Sequence, residues 1–145
     1  MTTIHKTALV PYAPRQMFDL VEDIESYPEF LPWCKNARIV AREADAVQAS
    51  ITLARAGLEK TFVTRNHSEP GQWLEMHLIK GPFSHLYGRW QFLPLGNAGS
   101  KVSLDMEFEF SNRLVRLALE PVFSSILNSL VDAFIHRAQQ RYGHV

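Results

Sequence analysis

The side chains of this 145-residue chain best suited to nucleophilic, acid–base or metal chemistry are one cysteine and six histidines. The histidines are His5, His67, His77, His85, His136 and His144, and none falls into an H-x-x-x-H or comparable ligand spacing. A single cysteine cannot anchor a structural zinc, so no metal centre is expected. Cys34 would act as a nucleophile only with its pKa depressed by a cation or a helix N-terminus. It follows Pro32-Trp33, has Lys35 as its nearest charged neighbour, and reads more simply as a small, half-buried hydrophobe. His77 and His85 flank the turn at Gly81-Pro82 and could meet across a hairpin as an acid–base pair, but simple alternation turns His77 toward solvent. Gly57, Gly71, Gly81 and Gly99 stand singly at turns, and neither a glycine-rich phosphate loop nor a G-x-S-x-G elbow is present. None of these residues forms an acid–base or nucleophilic assembly legible in the sequence.

Binding chemistry has more candidates. Tyr27-Pro28-Glu29-Phe30-Leu31-Pro32-Trp33 places three aromatic rings in a proline-bounded stretch outside the regular strands. Such a stretch is the mouth of an apolar pocket, a patch for a partner or membrane, or a hydrophobic plug at the open end of a sheet. A second cluster runs Gly81-Pro82-Phe83, then Leu86, Tyr87, Gly88 and Trp90-Gln91-Phe92. Trp90 and Phe92 share parity with Leu86 and should face inward, as core filling by default and as a ligand wall otherwise. Lys60-Thr61-Phe62-Val63-Thr64-Arg65-Asn66 carries two cations and two threonines in a strand with one dry face. An inward Arg65 would need a partner and could anchor a polar ligand head; an outward Arg65 would be unremarkable.

Those residues have to be held by particular elements. Thr3 to Val10 alternates and reads as a strand, ended by Pro11. Pro14 suits a first helical turn, and Met17, Phe18, Val21 and Ile24 follow at helical spacing. Ser26 is a plausible cap for a second short helix, Tyr27 to Leu31, stopped by Pro32. The period then changes to two. Six strands are expected at Ala37–Arg42, Val47–Ala54, Leu58–His67, Trp73–Lys80, His85–Leu93 and Lys101–Phe110. Breaks at Ala44-Asp45, Ala56-Gly57, Glu69-Pro70-Gly71, Gly81-Pro82 and Gly96-Asn97-Ala98-Gly99 are short enough to imply hairpins and an antiparallel meander. In the last strand Val102, Leu104, Met106, Phe108 and Phe110 alternate with polar residues, the mark of a sheet covered on one side.

Ser111 or Asn112 should cap a long helix to about Tyr142, with Pro121 expected to kink or split it in its first third. Beyond the proline, Val122, Phe123, Ile126, Leu127, Leu130, Val131, Phe134 and Ala138 cover about half the circumference. One broad apolar helix face and one single-sided sheet have one sensible arrangement, in which the sheet wraps the helix. The expected class is α+β, a helix grip: a curved seven-stranded antiparallel sheet around a long C-terminal helix, with two short helices after strand 1, in one domain spanning 1–145.

Fifteen basic residues balance fifteen acidic ones, which lowers the expectation of a partner gripped mainly through phosphates, and DNA is not expected. A single cysteine and an N-terminus without an apolar leader suggest a reducing, cytoplasmic setting. No apolar run approaches the roughly 18 residues that cross a bilayer, so any membrane contact is expected to be peripheral.

Taken in order, several of these segments resemble a known family. They are Tyr27 to Cys34, Lys60-Thr61-Phe62 with Thr64-Arg65-Asn66, Gly81-Pro82-Phe83 with Gly88 and Trp90, and Phe108 to Asn112 leading to Leu117-Ala118 and Pro121-Val122-Phe123. Along nearly its whole length the chain is similar to the coenzyme-Q-binding, START-like proteins of the polyketide cyclase superfamily, most of all to its bacterial ribosome association toxin (RatA) branch. The resemblance implies a helix-grip fold with an apolar cavity between sheet and helix. It also implies two activities: binding ubiquinone or a similar polyprenyl lipid in support of respiration, and binding the large ribosomal subunit to hinder subunit association. A cyclase-like enzyme is a third reading. The main expectation is a hydrophobic small molecule without any other cofactor, in a cytoplasmic protein that touches the inner membrane peripherally if at all. Its cavity wall is assigned to Tyr27, Phe30, Trp33, Phe62, Arg65, Phe83, Trp90, Met106, Phe123, Leu127 and Phe134.

Overall fold

Alternating side chains from Thr2 to Val10, and again from Cys34 to Phe110, build a single antiparallel sheet in the computed structural model, which describes residues 1–97 and 99–143. Ala98 of the last turn and His144 among the histidines lie outside the described residues. The strands are β1 (Thr2–Val10), β2 (Cys34–Arg42), β3 (Ala46–Arg55), β4 (Leu58–Glu69), β5 (Trp73–Lys80), β6 (Phe83–Leu95) and β7 (Gly99–Phe110). Their order is β1-β7-β6-β5-β4-β3-β2. Short links leave consecutive strands little choice but to pair with one another. The chain then returns to lay β7 beside β1, with Ile4 opposite Met106 and Val10 opposite Ser100.

The hairpin between β3 and β4 turns on Ala56 and Gly57, both at positive φ (54° and 80°), the two-residue geometry whose twist suits flanking strands. Register shifts at Cys34/Asn36, Ile39/Ala41, Val63/Thr64 and Phe83/His85 mark irregularities in the ladders, and such bulges bend a strand so that a sheet can curl. Strands β2 and β6 begin earlier than the alternation suggests. Cys34 already pairs with Leu53, and Phe83 with Phe110.

Helix α1 (Pro14–Glu22) opens with proline at its first position and buries Met17, Phe18, Leu20 and Val21. The second short helix differs from expectation. It is a 3-10 helix over Ile24–Glu29 that begins at Asp23, and Ser26 Oγ donates to Asp23 Oδ2 at 2.6 Å instead of capping a later helix. Pro28 lies inside it and contributes no backbone donor there.

Helix α2 (Arg113–Tyr142) starts at Asn112, whose Oδ1 accepts from the Val115 N–H at 2.9 Å. Pro121 does not split it: the helix runs continuously past the proline. Leu119 and Phe123 are buried on either side, and that packing holds the helical path where one backbone hydrogen bond is missing. The buried face comprises Leu119, Phe123, Ile126, Leu127, Val131, Phe134 and Ala138, set against Trp90, Phe92, Leu104 and Phe108 of the sheet. The polar arc at Ser125, Asn128, Asp132 and His136 is exposed. Among the described residues α2 is the one helix long and apolar enough, by length and composition, to cross a membrane. Ser124, Ser125, Asn128, Ser129 and Asp132 interrupt its apolar runs, yet the apolar residues around them keep its mean hydropathy high.

Candidate functional site

The inward faces of α2 and of the strands from β3 to β7 do not fill all the space between them. They leave a cavity of about 70 Å³. Of the residues assigned to its wall from sequence, Tyr27, Trp33, Phe62, Trp90, Met106, Phe123, Leu127 and Phe134 line it. Ile51, Leu53, Met76, Leu86, Ile126 and Leu130 extend the apolar lining.

Three assigned residues stand elsewhere. Arg65 points outward and forms a two-point ion pair with Glu43, Nε to Oε2 at 3.0 Å and Nη2 to Oε1 at 2.8 Å. These bonds from Arg65, more than anything else nearby, hold the Glu43 carboxyl below the usual carboxylate range. An inward guanidinium would have needed such a partner inside the core; the surface supplied one instead. Phe83 lines a separate small apolar pocket with Phe110, Leu119, Val122 and Phe123, and stacks on Phe110 at 5.0 Å. Phe30 packs edge-on against Tyr27 and Phe134 (6.1 and 5.2 Å), with the Arg137 guanidinium 4.9 Å from its ring centre.

Parity explains both the Arg65 error and what sequence reasoning missed. If Phe62 faces the helix, Thr64 and Asn66 must follow it inward while Arg65 turns out. Thr64 and Asn66 are 4% and 6% exposed and are polar members of an otherwise apolar wall. Thr64 donates its hydroxyl hydrogen to Asn66 Oδ1 at 2.8 Å. The alternation of β4 was signal enough to find them.

The Tyr27–Trp33 stretch closes the sheet against the C-terminal half of α2. Tyr27 is buried, donates its hydroxyl to the Val21 carbonyl, and is pushed well above the usual phenol range by that burial. Leu31 is buried as well, while Trp33 faces both the cavity and an outer groove shared with Ala54, Arg55 and Asp132. On the far side of the cavity wall runs a second groove, of about 520 Å³, between Glu22–Glu25 and Arg42–Val47. Ile24, Asn66 and Leu74 border both the groove and the cavity and form the partition between them.

The titratable candidates do not assemble. His77 lies opposite Tyr87, and His85 opposite Glu109, so the two histidines do not meet across the hairpin. His85 Nε2 instead contacts Glu107 Oε1 at 3.3 Å. Cys34 is 4% exposed, and burial pushes its thiol up to about 11. Among the described residues no group of three His, Cys, Asp or Glu side chains is placed to hold a metal ion.

One end of the sheet is basic. The β3–β4 turn, the β5–β6 turn and the start of α2 bring Arg55, Lys60, Lys80 and Arg113 to the same end; Ser111 N bonds the Pro82 carbonyl at 3.0 Å. All four side chains are exposed. Beside them Leu114 and Leu117 are 79% and 61% exposed in the first turns of α2.

A protein-family model described as polyketide cyclase / dehydrase and lipid transport matches residues 10–135. A protein of Pseudomonas aeruginosa named ribosome association toxin RatA is 44% identical over 142 residues, covering 98% of this chain and 99% of that one. The chain belongs to the RatA branch of the polyketide cyclase family. More distant proteins are similar in sequence or in fold. A mitochondrial coenzyme Q-binding protein of Dictyostelium discoideum, COQ10, is 22% identical over 147 residues, covering 99% of this chain and 72% of that protein. The crystal structure of the Zhui aromatase/cyclase from Streptomyces superposes with a TM-score of 0.86 at 16% identity, covering 97% and 95% of the two chains. That likeness shows the helix-grip fold of the family, on which different activities sit.

Proposed function

We propose that this RatA-branch protein acts by binding the ribosome, associating with the large subunit in the cytoplasm and hindering subunit association, and that it does so without catalysis. The observation that supports it is the 44% identity, running from end to end, to a protein named for ribosome association. The basic end supplies a surface for phosphate contacts. Of the cations there, Lys35 pairs with Glu59 and Arg116 with Glu120, while Arg55, Lys60, Lys80 and Arg113 make no ion pair among the described residues, within a chain whose formal charge is zero. A local excess of this kind is what an RNA backbone attracts, whatever the total charge. The test is sedimentation of the purified protein with isolated large subunits. It should travel with them at low salt, dissociate as salt rises, and lose affinity when Lys60→Glu and Arg113→Glu are combined. Failure to co-sediment at low salt ends the proposal.

A second reading, compatible with the first, is that the cavity takes a hydrophobic guest such as ubiquinone or another polyprenyl lipid. The observation that favours it is an apolar cavity facing α2 with two polar groups in its wall. Burying hydrocarbon contributes about 0.8 kcal/mol per CH₂, so a few isoprene units would suffice for retention. About 70 Å³ is far less than the roughly 300–1,000 Å³ of ordinary ligand pockets, so a guest requires the wall to yield. Met76 and Met106, flexible and unbranched, are the wall residues best able to move. This size is why the ligand reading stands second. Organic extraction and mass spectrometry of freshly purified protein should find a polyprenyl lipid, and Leu127→Trp should abolish its retention. A clean extract would count heavily against this reading.

A further inference from the structure

The line of α2 that faces solvent changes character along its length. Ser125, Asn128, Asp132 and His136 follow one another on it at helical spacing, exposed and polar, as the outer face of a helix packed on one side should be. The same line begins with Leu114, Leu117, Ala118 and Pro121, which are equally exposed and apolar. The core does not account for them, because the first buried side chain of α2 is Leu119. Single exposed leucines are ordinary; two leucines one turn apart, with an alanine and a proline on the same line, form a patch.

The patch stands within the basic end. Arg113 precedes Leu114, Arg116 precedes Leu117, and Lys60 lines the same small pocket as Val122, the neighbour of Pro121. A partner that meets this end therefore meets free cations and bare leucines together. Leucine offers a phosphate nothing, and a duplex RNA surface shows phosphate and ribose, not apolar groups. A bilayer would bring Glu59, Glu109 and Glu120 of the same end against the anionic layer that attracts the cations. A ribonucleoprotein surface supplies both chemistries side by side, phosphates for the cations and protein side chains for the leucines. We infer that Leu114, Leu117 and Pro121 form the apolar centre of the ribosome-docking face and pack on an apolar patch of a ribosomal protein, beside the RNA phosphates that the cations contact. This rests on the reading that the protein associates with the large subunit, and it adds the kind of component that the first turns of α2 meet.

The test measures affinity for isolated large subunits by co-sedimentation over a range of salt. Losing phosphate contacts tilts the line of log K against log salt, whereas losing an apolar contact lowers the line without tilting it. Leu114→Ser combined with Leu117→Ser should weaken binding about tenfold at every salt concentration and keep the wild-type slope. Leu114→Met combined with Leu117→Met should bind as the wild type does, which separates apolar contact from any effect on the helix start. Lys60→Glu combined with Arg113→Glu should make the slope shallower by about two. Leu117→p-benzoylphenylalanine, irradiated in the complex, should become joined to a ribosomal protein. Serine variants that bind like the wild type overturn the inference, as does a crosslink to RNA alone. Phosphatidylglycerol vesicles that hold the wild type and release the serine variant, with ribosome affinity unchanged, would overturn it in favour of a membrane. A dimer in the free wild type that the serine variant loses, again with ribosome affinity unchanged, would overturn it in favour of a second copy. If the wild type does not co-sediment at low salt, the ribosome reading itself falls and takes the leucine contact with it.

Discussion

Gly88 lies opposite Met106 in the β6–β7 ladder, and the Met106 thioether occupies the space that a side chain at Gly88 would need. A Cβ at that position would come within 2.5 Å of Met106 Sδ and 2.6 Å of Met76 Cε. Both methionines line the cavity. The missing side chain thus gives the two thioethers somewhere to lie other than the cavity itself.

Gly88→Ala should therefore push two flexible side-chain ends toward the cavity and not break the sheet. We expect a modest destabilisation of about 1–2 kcal/mol, read from the urea midpoint, because methionine ends move more easily than backbone. Binding of apolar guests should fall more than stability does. Guest affinity equal to the wild type would show that the methionines do not shape the space.

Phe123 joins two regions. It packs edge-on against Phe108 at 4.9 Å, lies 5.1 Å from Phe83, and borders both the cavity and the small apolar pocket beside Pro82 and Leu119. Phe123→Ala should lower stability by about 3–5 kcal/mol and merge the two spaces into one. Xenon or benzene uptake should rise in crystals or in solution, since an apolar cavity of that kind stays dry. No gain in uptake would mean that the surrounding rings collapse into the gap.

Burial pushes the Cys34 thiol up to about 11, and the side chain is almost inaccessible. At pH 8 its reaction with a disulfide reagent should run at least about a hundredfold slower in the native protein than in urea, from the thiolate fraction alone. The linkage runs in one direction. A folded-state pKa above the unfolded one leaves stability intact at neutral pH and removes it as pH rises from the usual thiol value through about 11. Cys34→Ala should flatten that part of the alkaline decline, and comparable native and unfolded reaction rates would contradict the burial.

On the outer face, Glu75 accepts from the Tyr87 hydroxyl at 2.8 Å and from the Arg89 guanidinium, which also lies 5.2 Å from the Trp73 ring. Burial alone would raise this carboxyl; the bonds from Tyr87 and Arg89 outweigh it and hold it below the usual range. A depressed carboxylate stabilises the fold above the usual carboxylate pKa, and that contribution is lost as pH falls through the folded value. Glu75→Gln should be less stable than the wild type at pH 7, with the gap closing on acidification. Thermal melts across pH 2–7 would show it, and a gap independent of pH would assign the loss to shape and not to charge.

How much was legible differs between elements. β7, with Val102, Leu104, Met106, Phe108 and Phe110 on one parity, carries its own orientation, and α2 announces its buried face through Phe123, Ile126, Leu127, Val131 and Phe134. The second short helix is expected over Tyr27–Leu31 with Ser26 as its cap, but Ser26 Oγ bonds Asp23 within a tighter 3-10 turn over Ile24–Glu29. In β4 parity places Thr64 and Asn66 inward with Phe62 and turns Arg65 out to Glu43, whatever the charge of the guanidinium suggests.

Local pattern by itself determined the period of each segment, the meander, and the face each strand and the long helix would bury, because these depend on residues two to four positions apart. Partnerships between distant segments were settled only when the sheet curled. The pairing of β1 with β7, the continuity of α2 through Pro121, the Arg65–Glu43 ion pair and the size of the cavity all depend on groups brought together across the fold. A cavity is the small remainder after large side chains have packed, and packing is a property of the assembled volume, which no window along the chain contains.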